Sequence, residues 1–206
     1  MRKILGHIAK RLYNKKYNQL RDRLLKEYEL VKADQTNNFN TLSKLLISGE
    51  DHRFYYHIGF DFIAISRAIR NRIFYRKVEG ASTIEQQLVR VLTNDFDKTF
   101  RRKVQEILLS TTVSSIIPKS AIPKIYLNVA YYGTEMNGLN QTYLKLGIID
   151  KETMPIEQAA EIVSRIKYPQ PSKLNEKRLT QIEVRKQHLI KLYNKHLTRK
   201  YFKIYG

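Results

Sequence analysis

Apolar residues recur at the three- and four-residue spacing of a helix in one segment after another, and nowhere do they alternate for long enough to build a sheet. That pattern restricts the chain to a mostly or all-α architecture. Ile4, Ile8 and Leu12 recur every four residues, with Leu5 and Ala9 beside them and Lys3, Lys10, Arg11, Lys15 and Lys16 on the remaining surface. Residues 1–32 therefore predict one or two basic amphipathic helices, suited to lying on an anionic bilayer or to packing their stripe on the domain. A polar loop is expected over 33–40, followed by a helix opening at Leu42. Over 62–74 the spacing predicts a helix with Phe62, Ile65, Ile69 and Ile73 inward and Arg67, Arg70 and Arg72 outward.

Residues 76–81, with Gly80, read as a mobile connection. Ser82 followed by Glu85 is a capping-box signature, so a helix starts there. On it Thr83, Gln87 and Arg90 fall at i, i+4 and i+7, placing a hydroxyl, an amide and a cation on one face. Another helix is expected over 99–117, with Val104, Ile107, Leu108 and Val113 as its apolar positions. Pro118 and Pro123 mark boundaries. Further helices are expected over 137–146 and 155–167, then an extended turn at Tyr168-Pro169-Gln170-Pro171. A long basic helix over 175–201 closes the series, with Leu179, Ile182, Leu189, Leu192 and Tyr193 as its stripe. Residues 1–40 are taken as a basic N-terminal segment and 41–206 as the main domain.

Thirty-eight Lys and Arg against nineteen Asp and Glu give a formal charge of +19. That excess points to a polyanionic partner: nucleic acid, an anionic membrane surface or a phosphate-bearing substrate. No cysteine is present, which excludes disulfides, thiol chemistry and cysteine metal sites, and the five scattered histidines show no zinc spacing. No apolar run approaches the ~18 residues of a membrane span. The first ten residues lack the apolar centre of a signal peptide. As written, the chain is expected neither to span a membrane nor to carry an export signal.

Chemistry concentrates in residues 49–61. Glu50 and Asp51 stand at the end of the apolar segment Leu42, Leu45, Leu46, Ile47, and Phe54, His57, Gly59 and Asp61 follow closely. Carboxyls beside an apolar wall have reason to titrate high, as a general base at neutral pH requires. A cap or a solvated charge is the plainer reading of two such acids, and His57 reads first as a structural hydrogen-bonding partner. Later, Arg101, Arg102 and Lys103 open the 99–117 helix, with Glu106 one turn on. These charges form either solvated i,i+4 pairs or a grip on a diphosphate. Cations are poorly placed at a helix N-terminus, which favours an outside anion.

Five segments in order resemble the motifs of the peptidoglycan glycosyltransferase family, the lysozyme-like transglycosylase domains of penicillin-binding proteins and monofunctional transglycosylases. Glu50-Asp51-His52-Arg53-Phe54 with His57, Gly59 and Asp61 resembles the first. The run from Gly80 to Arg90 resembles the second, and Arg102-Lys103-Val104-Gln105-Glu106 is similar to the third. Tyr126-Leu127-Asn128 through Tyr131-Tyr132-Gly133 resembles the fourth. Ala159-Ala160 through Pro169-Gln170-Pro171-Ser172 is a weaker match to the fifth. The likeness covers residues 42 to 175.

The resemblance implies a mainly helical, two-lobed lysozyme-like domain that polymerises lipid II into β-1,4 glycan strands with inversion at the donor's anomeric carbon. By position Glu50 is the base that deprotonates the acceptor hydroxyl, and Asp51 supports its orientation. Glu106 assists at the leaving diphosphate or the donor site. Arg90, Arg102 and Lys103 hold the diphosphate, Thr83 and Gln87 contact donor sugar or phosphate, and Phe54 and His57 belong to the substrate-binding first motif. A divalent cation, Mg2+ or Mn2+, assists without tight binding. Lipid II, the nascent strand and an anionic membrane surface are the partners implied, at the outer face of the bacterial inner membrane. No nucleic acid and no cross-linking domain are expected. The chemistry fits this assignment: inverting transfer needs a base on one face of the sugar, and a leaving diphosphate is served by cations where a glycosidase uses an acid. Base and cations are expected to face each other across one groove.

Ala81 stands where the family's second motif has a glycine, Arg90 where a lysine is common, and Lys124, after Pro123, where the fourth motif has a glutamate. The last puts the local helix in doubt. The family's N-terminal transmembrane helix and a transpeptidase domain are not expected in this chain. The alternative reading is a catalytically altered homologue that binds polyprenyl-linked glycan or anionic membrane, or that acts on another lipid-linked sugar. Nucleic-acid binding accounts for the charge alone and has no motif. Lysozyme-style hydrolysis remains open to the related fold.

Overall fold

The computed structural model describes residues 2–34, 39–77, 80–173 and 175–198. The expected loop at 35–38, residues 78–79 of the connection and residues 199–201 of the last helix lie outside the described residues. Those described form ten α-helices and one two-stranded antiparallel sheet, the mainly helical class that the apolar spacing requires. The helices are α1 (Arg2–Leu12), α2 (Asn14–Ala33), α3 (Phe39–Glu50), α4 (Phe62–Tyr75), α5 (Ile84–Thr93), α6 (Phe100–Ile116), α7 (Ile122–Val129), α8 (Leu139–Leu146), α9 (Ile156–Lys167) and α10 (Glu176–Thr198). The strands are β1 (Tyr131–Gly133) and β2 (Met136–Asn137). The chain divides into two compact units, one of residues 1–30 and 53–125 and one of residues 31–52 and 126–206.

In the first unit α1 and α5 pack on α6. The buried face of α6 is not the expected Val104, Ile107, Leu108 set. It is Gln105, Glu106, Leu109, Ser110, Thr111, Thr112 and Val113. The three hydroxyls tolerate that burial because each is engaged locally: those of Ser110, Thr111 and Thr112 donate to the carbonyls of Ile107, Leu108 and Leu109 at 2.7 Å. α1 meets α6 through its small residues. Gly6 lies against the Thr112 methyl and Ala9 is fully buried, while Ile4 and Leu12 stay largely exposed. α5 begins one residue later than the capping box predicted. Thr83 is its N-cap, its hydroxyl accepting from the Gln86 N–H. Pro123 sits inside the first turn of α7, where its missing N–H costs no helical hydrogen bond, so the helix forms despite the departure at Lys124.

α4 overturns its expectation. None of its residues is buried, and Phe62, Ile69 and Ile73, expected inward, are 71%, 55% and 67% exposed. Periodicity establishes that these side chains share a stripe; it does not say what the stripe faces.

In the second unit α3, α9 and α10 pack pairwise. The core comprises Leu42, Leu45 and Leu46 of α3, Ala159, Ala160, Ile162 and Val163 of α9, and Ile182 and Leu189 of α10. Each fully buried leucine contributes about 1.5–3 kcal/mol of hydrophobic stabilisation. On α10 the buried positions are Ile182, Arg185, Leu189 and His196, while Leu179, expected inside, is 38% exposed. β1 and β2 form a hairpin that the sequence reading did not anticipate. The Tyr168–Pro171 turn extends it: Gln170 N–H donates to the Tyr132 carbonyl at 3.0 Å, and Thr134 N–H to the Gln170 carbonyl at 2.9 Å.

Candidate active site

The site residues expected from sequence fall into three groups. The first is built around Glu106, on the buried face of α6 and 3% exposed. Arg102 and Lys103 precede it by four and three residues, so one turn of helix brings both cations to its carboxylate. Arg102 Nη1 donates to Oε2, and Lys103 Nζ donates to Oε1 at 2.6 Å. Arg90, from α5, completes the set with its fork, Nε to Oε2 at 3.0 Å and Nη2 to Oε1 at 3.3 Å. A lysine there would carry the charge but not the two-nitrogen fork that meets both oxygens. Lys103 Nζ also donates to Ser82 Oγ at 2.9 Å and Gln86 Oε1 at 2.6 Å. From sequence Ser82 reads as a cap and Gln86 only as part of the second-motif run, because neither contact with Lys103 is local in sequence.

Three cations on one carboxylate leave a net charge of +2. Burial pushes the Glu106 carboxyl up, but hydrogen bonds and charge from Arg90 and Lys103 outweigh it and hold the group below its ordinary value. Lys103 is held below the usual lysine range, chiefly by desolvation and further by the neighbouring arginines, against the pull of Glu106. Both oxygens of Glu106 are occupied, so the cluster offers no carboxylate to a metal ion. The arrangement carries surplus positive charge beside Glu106.

The second group secures the loop of the first motif. Phe54 is fully buried with His57 edge-on at 6.1 Å and Lys119 Nζ over its ring at 4.6 Å. Lys119 Nζ also donates to the His57 carbonyl at 2.6 Å and to Glu85 Oε1 at 2.9 Å. Glu85, expected from sequence only as a capping-box partner, is wholly buried, and Lys119 carries no signal in the sequence. Thr83 Oγ1 donates to the Gly59 carbonyl at 2.6 Å while capping α5. Gln87, one turn on, is half-buried. Asp61 caps α4 through the N–H groups of Ile63 and Ala64 and accepts from Arg53 Nε at 2.8 Å. Burial works against its ionisation, but the Ala64 N–H and Arg53 prevail and hold it below the usual carboxylate range.

The third group lies in the second unit. α3 ends at Glu50, and Asp51 after it is buried. Arg185 of α10 donates through Nη2 to both the Glu50 Oε1 and the Gly49 carbonyl, each at 2.8 Å. Arg185 lies on the long basic helix expected over 175–201 and outside the apolar stripe expected for it. Its signal was its position, three residues after Ile182 and four before Leu189, which puts it in the buried stripe of α10.

The motif order and this geometry agree with a wider comparison. A family model described as Transglycosylase matches residues 14–193. The chain belongs to the transglycosylase family. It is 35% identical over 160 residues to penicillin-binding protein 1A of Rickettsia bellii, covering 73% of this chain and 19% of that protein. It is 34% identical over 161 residues to the monofunctional glycosyltransferase of Staphylococcus aureus strain Newman, covering 71% of this chain and 60% of that protein. This transglycosylase chain thus spans a fifth of the length of the first and three fifths of the second.

Proposed function

We propose that the chain is a peptidoglycan glycosyltransferase that polymerises lipid II. The observation that carries the reading is the Arg90–Arg102–Lys103–Glu106 cluster, whose excess positive charge suits a sugar diphosphate. In the proposed step Glu50 takes the proton of the acceptor's 4-hydroxyl. The acceptor oxygen bonds to the donor's anomeric carbon as the bond from that carbon to the diphosphate breaks, and polyprenyl diphosphate leaves with the electron pair. Attack opposite the leaving group inverts the centre and gives a β-1,4 link. The cations stabilise the departing diphosphate without an acid, and Arg185 fixes the base's carboxylate. The role of Asp51 is to support Glu50. With Glu106 saturated, a divalent cation such as Mg2+ or Mn2+ would arrive on the diphosphate, and no step needs it as a resident ion.

No described helix is long and apolar enough to cross a membrane. Peripheral contact with an anionic membrane is supported by the exposed stripe of α4, interleaved with exposed Arg70 and Arg72, and by Ile4 and Leu12 of α1. The family resemblance assigns that contact to the outer face of the bacterial inner membrane.

The test is incubation with labelled lipid II and a divalent cation, in parallel with Glu50→Gln. Wild type should yield glycan polymer and the variant at most a trace. Absence of polymer from a folded wild type, or equal polymer from the variant, rejects the reading and favours a binding homologue.

A further inference from the structure

A cavity of about 440 Å³ opens in the first unit where the α1–α2 elbow meets the start of α6. The elbow contributes Lys15 and Lys16, and the start of α6 contributes Thr99, Arg101, Gln105 and Arg102, the last already committed to Glu106. Lys16 is committed to Asp95, whose carboxyl that contact holds below its ordinary value. Lys15 and Arg101 are exposed and make no ion pair among the described residues. Gln105 is 8% exposed as a residue and lines the cavity. Its amide is not sealed in the core, so it is open to the cavity and able to meet a ligand or water there. The Thr99 hydroxyl accepts the Arg102 N–H, which leaves its own proton to donate. Two cations, an amide and a hydroxyl thus converge at the N-terminus of a 17-residue helix, where the macrodipole favours a negative charge. Asp97, the remaining acid, is exposed at the cavity and screened by solvent.

We propose that this cavity is a second, non-catalytic site for a phosphate group, carried by a lipid head or by a soluble phosphate. Lys15 and Arg101 supply the charge, and Thr99 and Gln105 supply directional donors to the remaining oxygens. The cavity borders the proposed diphosphate cluster at Arg102, but its ligand-binding groups are Lys15, Thr99, Arg101 and Gln105, and its test does not use the transfer activity.

The reporter is the Gln105 side-chain amide in proton–nitrogen correlation spectra of the full chain. Titration with inorganic phosphate, and separately with glycerol phosphate, should move it saturably. Lys15→Ala with Arg101→Ala should weaken that binding about tenfold or more. Lys177→Ala with Lys191→Ala, which removes the same charge from the exposed side of α10, should change it less than roughly twofold. In a third arm, phosphatidylglycerol vesicles are sedimented with the same variants. A selective loss in Lys15→Ala with Arg101→Ala assigns the lipid head, and a response confined to the soluble probes assigns free phosphate. A Gln105 signal that drifts without saturating, or equal affinities in the two double variants, overturns the proposal.

Discussion

Glu106 stabilises the first unit only while ionised. In the unfolded chain its carboxyl titrates near the ordinary 4.5, and in the folded protein it titrates lower, because Arg90 and Lys103 outweigh the cost of burial. A depressed folded value contributes stability that is complete above the unfolded value and is lost as pH falls through the folded one. Glu106→Gln leaves three cations facing one another. With Arg90 and Lys103 side chains 30% and 34% exposed, solvent moderates the effect, and the loss near pH 7 should be about 2–3 kcal/mol. The gap between wild type and variant should narrow from about pH 5 downward. Urea unfolding at several pH values measures it, and a gap that widens on acidification contradicts the account. At Glu50 the question is position. Arg185→Leu removes the donor that holds its carboxylate, and the rate of polymer formation should fall roughly 100-fold. Arg185→Lys should recover part of it, since the charge returns on a shorter side chain that does not reproduce the placement of Nη2. Equal rates in all three proteins would show that Arg185 does not position the base. The neighbouring glycine belongs to the same contact, because a Cβ on Gly49 would lie 2.2 Å from Leu189 Cδ2 and 2.9 Å from Arg185 Nη2.

At the scale of elements, α5 and α6 grip the loop after Phe54 from two sides. Gly59 has φ of +116°, and a Cβ there would lie 2.3 Å from the Ser110 carbonyl oxygen of α6. Backbone cannot yield as a side chain does, so Gly59→Ala should cost about 3 kcal/mol. Thr83→Val, which loses both the α5 cap and the bond to Gly59, should cost about 2 kcal/mol. Because both act on one loop, the double variant should be less destabilised than the sum, and strict additivity in denaturation would count against a shared grip. These elements also show what the sequence could disclose. Spacing located the long helices: α6, α9 and α10 lie within a residue or two of expectation over the described range. It misplaced their buried faces, since α6 buries a polar face whose hydroxyls bond to its own carbonyls and α10 buries an arginine. The hairpin escaped because three and two residues are too few to show alternation. The motif resemblance singled out Arg90, Arg102, Lys103 and Glu106, which do converge. The partners of Ser82, Gln86, Glu85, Lys119 and Arg185 are visible only in three dimensions, because those contacts join segments distant in sequence.

Over the whole molecule, a charge of +19 will draw the protein to any anionic surface, so attraction alone cannot establish a membrane-binding face. α4 allows the electrostatic and apolar parts to be separated. It buries none of its own residues, yet presents Phe62, Ile69 and Ile73 along one stripe. Replacing all three with serine changes no net charge and empties no core, so thermal stability should stay within about 1 kcal/mol of wild type. If the stripe enters the interfacial region of a bilayer, affinity for phosphatidylglycerol vesicles should fall roughly 100-fold, as each side chain forfeits part of its transfer free energy. Arg70→Ser with Arg72→Ser provides the contrast, because its effect on vesicle binding should fade as salt rises and that of the apolar triple should persist. Co-sedimentation across a salt series reads both. Vesicle affinity that survives the triple substitution at every salt concentration would reduce the membrane contact to charge alone and leave the exposed stripe of α4 without a role.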